Sequence, residues 1–239
     1  LCLCPFVPEL LHGHGVRATF VGHALADAIP LQAPREQARA ALGLLPGDAV
    51  VAVLPGSRRS EIEYDAPPFL QAVALLARQR PDLKFVLPVA PGLRPLVDAQ
   101  VARHAPDVPL HVTDGGSHTA LAACDVTLIA SGTATLEAAL FRRPMVIGYR
   151  VHPLSYLMMK RMAYQPWVGL PNILCRDFVV PERLQHDCTP QALSTAVLGW
   201  LDDPGACEAV ARRFEDLHHQ LRQGTAQRAT DAIAQTIGA

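Results

Sequence analysis

The sequence lacks several patterns that define whole classes of protein. No run of about 18 apolar residues occurs, so no membrane-spanning helix is expected. The six cysteines include no C-x-x-C pair, which argues against disulfides and structural zinc and favours reduced thiols in a cytosolic protein. Neither charge sign is in excess, because 21 Lys and Arg face 22 Asp and Glu. No bulk attraction to nucleic acid is therefore expected, and any anion site must be local.

Common catalytic motifs are also missing. There is no G-x-S-x-G turn for a hydrolase nucleophile and no H-E-x-x-H pair for zinc. No Asp-x-Asp triplet occurs, which removes the usual carboxylate pair for a metal bound to a nucleotide diphosphate. The stretch Gly13-x-Gly15-x-x-Ala18 precedes a predicted strand instead of following one, so it does not indicate NAD binding. No metal site is expected.

What the sequence does contain is a regular alternation of short apolar runs and longer helical patterns. This alternation predicts an α/β fold, a parallel sheet flanked by helices. The predicted strands cover 49–54, 83–89, 110–113, 126–130 and 144–149, and the intervening helices are predicted to begin near Ala66, Leu93, Ser117 and Gly132.

Three segments are predicted along the chain. Residues 1–33 show a strand, a short helix and a second strand over 18–22, and are interpreted as the end of another domain plus a linker. Residues 34–188 form the Rossmann-like unit, and residues 189–239 are helical. Thr189-Pro190 and Asp203-Pro204 each combine a capping residue with a proline, which predicts two helix starts.

The first candidate site is the turn 54–61, directly after a predicted strand. Such turns lie at the carboxyl edge of a parallel sheet, where open α/β folds bind ligands. Gly56 lets the backbone approach an anion, Ser57 adds a hydroxyl, and Arg58 offers a planar fork of donors suited to phosphate. A plain strand-to-helix turn with exposed arginines would have the same sequence.

The second candidate is the segment 131–137, also at the end of a predicted strand. Ser131 is predicted to cap the helix, and the free amides of its first turn, at Gly132 and Thr133, suit a pyrophosphate. Glu137 lies four residues beyond Thr133 on the same helix face, about 6 Å along the axis. A carboxylate at that distance can accept hydrogen bonds from both ribose hydroxyls, although an ordinary capped helix would look similar.

A third, weaker candidate combines 169–174 with 180–185. Asn172 stands in a proline-anchored loop and could bond to a sugar or a diphosphate. Glu182 and Gln185 are three apart and are predicted to share a helix face. A turn asparagine and a surface helix would explain these residues equally well.

Charge is concentrated in one block. Residues 138–176 hold six Lys and Arg and no Asp or Glu. Within this block, residues 153–164 are predicted to form an apolar helix with Lys160 and Arg161 near its end. Packing of this helix against the sheet, with a solvated basic face, is one interpretation. Contact with anionic lipid or with acyl chains is the other.

Taken in order, these segments resemble the lipid A disaccharide synthases, glycosyltransferase family 19. The resemblance runs from near residue 5 to the C-terminus. The matching stretches are Phe20-Val-Gly-His-Ala-Leu-Ala-Asp27, Leu54-Pro-Gly-Ser-Arg-Arg-Ser-Glu61, Ser131-Gly-Thr-Ala-Thr-Leu-Glu137, Pro144-Met-Val-Ile-Gly-Tyr-Arg150, Leu170-Pro-Asn-Ile-Leu174 and Val180-Pro-Glu-Arg-Leu-Gln185.

The resemblance implies a GT-B fold, in which two Rossmann-like domains face each other and the C-terminal one holds the sugar donor without metal or other cofactor. The family transfers 2,3-diacylglucosamine from UDP-2,3-diacylglucosamine to 2,3-diacylglucosamine 1-phosphate. The implied UDP-binding residues are Gly56, Ser57, Arg58, Ser131, Gly132, Thr133, Leu136, Glu137 and Tyr149, and Asn172, Glu182 and Gln185 are implied at the donor sugar or diphosphate.

Further expectations follow from the same resemblance. The chain starts roughly where the first domain of the family ends, so we expect UDP binding without sugar transfer, and the general base is expected to lie outside the chain. A cytoplasmic protein at the periphery of the inner membrane is implied, with anionic lipid and a second copy as possible partners and no nucleic acid. The alternatives are a UDP-sugar epimerase of the same fold and a non-catalytic nucleotide-binding module.

Overall fold

A parallel sheet organises the structure, a computed structural model that describes residues 1–151, 156, 161 and 165–238. Six strands, β1 (Val50–Leu54), β2 (Lys84–Val89), β3 (Leu110–Asp114), β4 (Val126–Ala130), β5 (Met145–Tyr149) and β6 (Glu182–Leu184), pair in the order β3-β2-β1-β4-β5-β6. The register places Val51 between Phe85 and Val126. All residues of β1 and β4 are buried, because helices cover both faces of the sheet.

Helices precede, connect and follow these strands in the part of the chain that the structure describes. They are α1 (Val7–His12), α2 (Ala24–Ala28), α3 (Arg35–Ala41), α4 (Arg59–Gln79), α5 (Arg94–His104), α6 (Ser117–Ala123), α7 (Thr133–Leu140), α8 (Leu170–Cys175), α9 (Pro190–Leu201), α10 (Pro204–Leu221) and α11 (Thr225–Ile237).

Two apolar cores lie on opposite faces of the sheet, since successive strand residues point to opposite sides. On β1, Val50 and Ala52 point into the core formed with α6, α7 and α10, whereas Val51 and Val53 point into the core formed with α4 and α9. Leu136 on α7 is 1% exposed and belongs to the first of these cores.

The predicted strands are confirmed to within one residue at each end, and the predicted starts of α5, α6, α7, α9 and α10 to the same precision. Thr189 accepts a hydrogen bond from the amide of Ala192, and Asp203 accepts one from Ala206, so both predicted caps are confirmed. The predicted start of α4 at Ala66 is wrong, because the helix begins at Arg59 and carries Pro67 and Pro68 in its interior.

Two other local predictions are wrong. Glu182 and Gln185 do not share a helix face, because residues 182–184 pair with β5 as an edge strand and Gln185 turns with a φ of +49° into a short 3-10 helix. The strand predicted over 18–22 is reduced to a single parallel bridge between Cys2 and Phe20. Both outcomes depend on pairing with backbone that is distant in sequence, and the local sequence does not specify that partner.

Residues far apart in sequence hold α2 in place. The amide of His23 donates to the carbonyl oxygen of Leu221, at 2.9 Å. His218 Nε2 lies 2.9 Å from the carbonyl oxygen of Ala26, and the carboxylate of Asp27 accepts hydrogen bonds from the amides of Gly224 and Thr225 at the start of α11. The segment around α2 therefore packs as part of the C-terminal helical layer.

Four arginines of the basic block have partners within the fold. Arg142 pairs with Glu215 of α10 at 2.9 Å, and Arg143 donates to the carbonyl oxygens of Leu121 and Ala122. Arg176 lies over the ring of Phe6, 5.4 Å from its centroid, and Arg150 donates to the carbonyl oxygen of Gln185. These arginines do not form an open basic face. Of the helix predicted over 153–164, only Tyr156 and Arg161 are among the described residues.

Candidate functional site

A cavity of about 590 Å³ opens at the carboxyl edge of the sheet, next to β1 and β4. The strand order reverses between these two strands, and ligands of open α/β folds bind at such a point. The lining comprises Leu54, Gly56, Ser57, Arg58, Glu61, Pro88, Val89, Ala90, Pro91, Gly115, Ser117, Ala130, Ser131, Gly132, Thr133, Ala134, Glu137, Tyr149 and Val168.

The loop between β1 and α4 is shaped by Glu61. Its Oε2 accepts hydrogen bonds from the amides of Ser57 and Arg58, at 2.7 and 3.1 Å, and its Oε1 accepts one from the Arg58 guanidinium at 3.0 Å. Gly56 has a φ of +128°, and a Cβ there would lie 2.4 Å from Cβ of Glu61. Only glycine fits this backbone, which holds Arg58 at the cavity with 80% of its side chain exposed.

The N-terminus of α7 faces the same cavity. Gly132 precedes the helix with a φ of +151°, and no side chain caps the first turn. The predicted cap at Ser131 is wrong, because its hydroxyl donates instead to the carbonyl oxygen of Val168, at 3.3 Å. The first-turn amides at Thr133 and Ala134 have no intrahelical acceptor and, with the helix dipole, favour an anion.

Glu137 lies one turn further along α7 and also lines the cavity, with 19% of its side chain exposed. Its Oε2 lies 3.4 Å from Nε2 of His118, at the start of α6. The cavity thus has donors near the helix start and a carboxylate about 6 Å further along the helix axis.

Two titratable groups have shifted pKa values at the β5 side of the cavity. Burial raises the pKa of Asp65 to about 7, although one of its oxygens accepts a hydrogen bond from the amide of Arg150 at 2.6 Å. Burial, together with the negative charges of Asp65 and Glu61, raises the pKa of Tyr149 above its usual value. The phenol of Tyr149, which lines the cavity, therefore stays neutral at neutral pH.

Comparison with known proteins shows the family of the chain that forms this cavity. Residues 1–237 match the lipid-A-disaccharide synthetase family. The chain belongs to that family. It is 56% identical over 237 residues to the lipid-A-disaccharide synthase of Verminephrobacter eiseniae and 53% identical over 241 residues to that of Albidiferax ferrireducens. These alignments cover 98% and 99% of this chain but 61% and 62% of the relatives, so the chain spans about three fifths of their length.

Solved structures that are similar to this lipid-A-disaccharide synthetase chain share its fold at low identity. UDP-GlcNAc 2-epimerase from Neisseria meningitidis, bound to UDP-GlcNAc, has a TM-score of 0.67 at 12% identity over 95% of this chain and 59% of its own. Anabaena HepE, in complex with UDP-glucose, has a TM-score of 0.57 at 15% identity over 99% of this chain and 62% of its own. The fold is that of GT-B glycosyltransferases and epimerases, and membership of the synthetase family does not favour the epimerase alternative.

The cavity brings together eight of the residues that the sequence pointed to: Gly56, Ser57, Arg58, Ser131, Gly132, Thr133, Glu137 and Tyr149. Leu136 is not among them, because its side chain is buried in the core. Asn172, Glu182 and Gln185 are also absent from the lining.

Asn172 and Glu182 instead bind each other and the backbone around them. Asn172 is fully buried, accepts hydrogen bonds from the amides of Val179 and Val180, and donates to Glu182 at 2.9 Å. Glu182 accepts hydrogen bonds from the amides of Val168 and Gly169. This network holds the loop that carries Val168 at the cavity. Gln185 similarly donates to the carbonyl oxygen of Val151, at 3.0 Å.

Sequence reasoning missed the part of the lining that follows β2 and β3. Pro88–Pro91, Gly115 and Ser117 end or follow β2 and β3, which lie beside β1 in the order β3-β2-β1 and end at the same sheet edge. The rule that parallel strands present their carboxyl ends together would have found them. In residues 1–151 and 165–238, no group of three or more His, Cys, Asp and Glu could hold a metal ion. No described helix is both long and apolar enough to span a membrane.

Proposed function

We propose that the cavity binds the UDP part of UDP-2,3-diacylglucosamine. In this proposal the complete protein transfers 2,3-diacylglucosamine to 2,3-diacylglucosamine 1-phosphate, which forms the lipid A disaccharide and releases UDP. The observation that carries the proposal is the cavity itself. In a chain of the lipid-A-disaccharide synthetase family, Arg58, the uncapped start of α7 and Glu137 line one cavity at the strand-order reversal.

The chemistry follows from where negative charge develops. A hydroxyl of the acceptor attacks the anomeric carbon of the donor sugar and gives up its proton to a general base, while the bond from that carbon to the diphosphate oxygen breaks and UDP leaves with the electron pair. Arg58 and the first-turn amides of α7 would stabilise this leaving group, because positive groups aimed at developing charge lower the barrier. Glu137 would accept hydrogen bonds from the ribose hydroxyls.

The lipid chains of both substrates also indicate where in the cell the complete protein works. We propose that the complete protein works on the cytoplasmic side of the inner membrane, where acylated substrates are held in a bilayer. Four arginines of the basic block, Arg142, Arg143, Arg150 and Arg176, already have partners within the protein, so they add little to this part of the proposal.

Calorimetric titration with UDP and with uridine tests the assignment of Arg58. Losing a charge-assisted hydrogen bond costs about 1.5–3 kcal/mol, so Arg58→Ala should weaken UDP binding about 10- to 150-fold and uridine binding little. Arg59→Ala is the matched control, because Arg59 is the adjacent exposed arginine, pairs with Glu63 and does not line the cavity. Equal weakening of both ligands by Arg58→Ala would contradict the assignment.

The ribose assignment has its own test. Glu137→Gln should weaken uridine and UDP by similar factors, because both carry the ribose and only UDP carries the phosphates. An unchanged affinity for both ligands would show that Glu137 does not bind the ribose, whatever the result for Arg58.

A further inference from the structure

His118 lies beside the cavity in contact with Glu137 of α7 and with Phe141, the residue that follows the helix. Its Nε2 is 3.4 Å from Oε2 of Glu137, and its ring packs edge-on against Phe141 with the centroids 5.3 Å apart. Glu137 and Phe141 are four residues apart, so they lie on the same face of the helix. The imidazole of His118 therefore has a fixed apolar contact on one side and the carboxylate on the other.

This arrangement restricts the side chain of Glu137. A glutamate side chain loses rotamer freedom when it is held in one position, and a ligand that must impose this order binds more weakly. The contact with Nε2 of His118, at 3.4 Å, limits this freedom at Oε2 before any ligand arrives. Within residues 1–151 and 165–238, Oε1 of Glu137 has no hydrogen-bond donor, so it can accept from a ligand in the cavity that Glu137 lines.

His118 itself is not part of the cavity lining. Its side chain, which is 52% exposed, borders a separate shallow groove together with Pro30, Pro34 and Phe141. Any effect of His118 on a ligand in the cavity must therefore pass through Glu137. This distinguishes it from Arg58 and Thr133, which line the cavity directly.

We propose that His118 is a positioning residue that orients the Glu137 carboxylate toward the ribose and so sets the preference for a ribonucleotide over a 2′-deoxyribonucleotide. This inference rests on the proposed function, in which Glu137 accepts hydrogen bonds from the ribose hydroxyls. The readout is a ratio of two affinities, which a general loss of folded protein would not change.

Titration calorimetry with UDP and with 2′-deoxyUDP measures this ratio. The unaltered protein should prefer UDP by at least about 10-fold, because the carboxylate loses a charge-assisted hydrogen bond with the deoxy ligand. His118→Ala should lower the preference by about two- to fivefold, the size expected for a partly exposed contact. His118→Gln keeps an amide donor and should restore the preference to that of the unaltered protein. His111→Ala, an exposed histidine on β3, is the control.

The double variant His118→Ala/Glu137→Gln decides whether His118 acts through Glu137. With Glu137→Gln present, the further change at His118 should leave the UDP to 2′-deoxyUDP ratio unaltered. If Glu137→Gln lowers the ratio and His118→Ala alone does not, the role of His118 is overturned and the proposed function stands. If Glu137→Gln leaves the ratio unchanged, the ribose assignment fails and the inference fails with it.

Discussion

Gly56 offers a direct test of the loop that carries Arg58. The φ of +128° lies in a region that costs other residues about 1–3 kcal/mol, and an added Cβ would lie 2.4 Å from Cβ of Glu61. Because that neighbour belongs to α4 and holds the loop amides, the contact cannot be relieved by a side-chain rotation. We expect Gly56→Ala to lower the free energy of unfolding by about 2–4 kcal/mol, or about 4–16 °C in Tm for a domain of this size.

The assay combines thermal unfolding with UDP titration. Gly47→Ala is the matched control, since Gly47 lies in the loop before β1 with no positive φ and no atom within 4 Å of the added Cβ. It should be neutral or stabilising by up to about 1 kcal/mol. Gly56→Ala should also weaken UDP binding at least about tenfold, because a shifted loop misplaces Arg58. A Tm within 2 °C of that control (roughly 1 kcal/mol), with unchanged UDP affinity, would refute the geometry.

Two further predictions concern buried charge. Burial raises the pKa of Asp65 to about 7, above the value of about 4 for an exposed aspartate, so its contribution to stability is lost as the pH rises from about 4 to about 7. Asp65→Asn should flatten the pH dependence of the free energy of unfolding between about pH 4 and 7, measured by urea unfolding. An unchanged slope would contradict this prediction. Arg39 is 3% exposed, donates to four carbonyl oxygens and pairs with Asp125 at 3.0 Å. Arg39→Met should lower the free energy of unfolding by about 3–5 kcal/mol, measured by urea unfolding. The control Arg228→Met, at an exposed arginine, should lower it by under about 0.5 kcal/mol. Equal losses in the two variants would argue against a stabilising role of the Arg39 hydrogen bonds.

The strands could be predicted because their signal is local. Val126-Thr-Leu-Ile-Ala130 is a continuous apolar run, and its length and turn-rich flanks leave little choice other than a buried strand. The start of α4 could not be predicted, because prolines normally mark the first turn of a helix. Here Pro67 and Pro68 are held in the interior of a 21-residue helix, where packing of Pro68 and Phe69 offsets the lost backbone hydrogen bonds.

Site residues that directly follow a strand could be predicted from the sequence. Residues whose side chains bind other side chains or loop backbone could not. Arg58 and Glu137 could be placed from the strand positions alone. Asn172 and Glu182 could not, since a polar residue that satisfies a buried loop has the same sequence signal as one that faces a ligand. Glu61 was missed for a related reason, because its role depends on the path of the loop around Gly56.

The attachment of α2 to the C-terminal helices sets an order of events during synthesis. His218 and Thr225, which bind Ala26 and Asp27, follow them by 192 and 198 residues. A ribosome that adds roughly 5–20 residues per second needs about 10–40 s for this length. Until α10 has emerged, Ala26 and Ile29 lack the apolar partners Phe214 and Leu217 of their core. The segment around α2 is therefore synthesised before its packing partners in α10, and its apolar residues are accessible to chaperones during that interval.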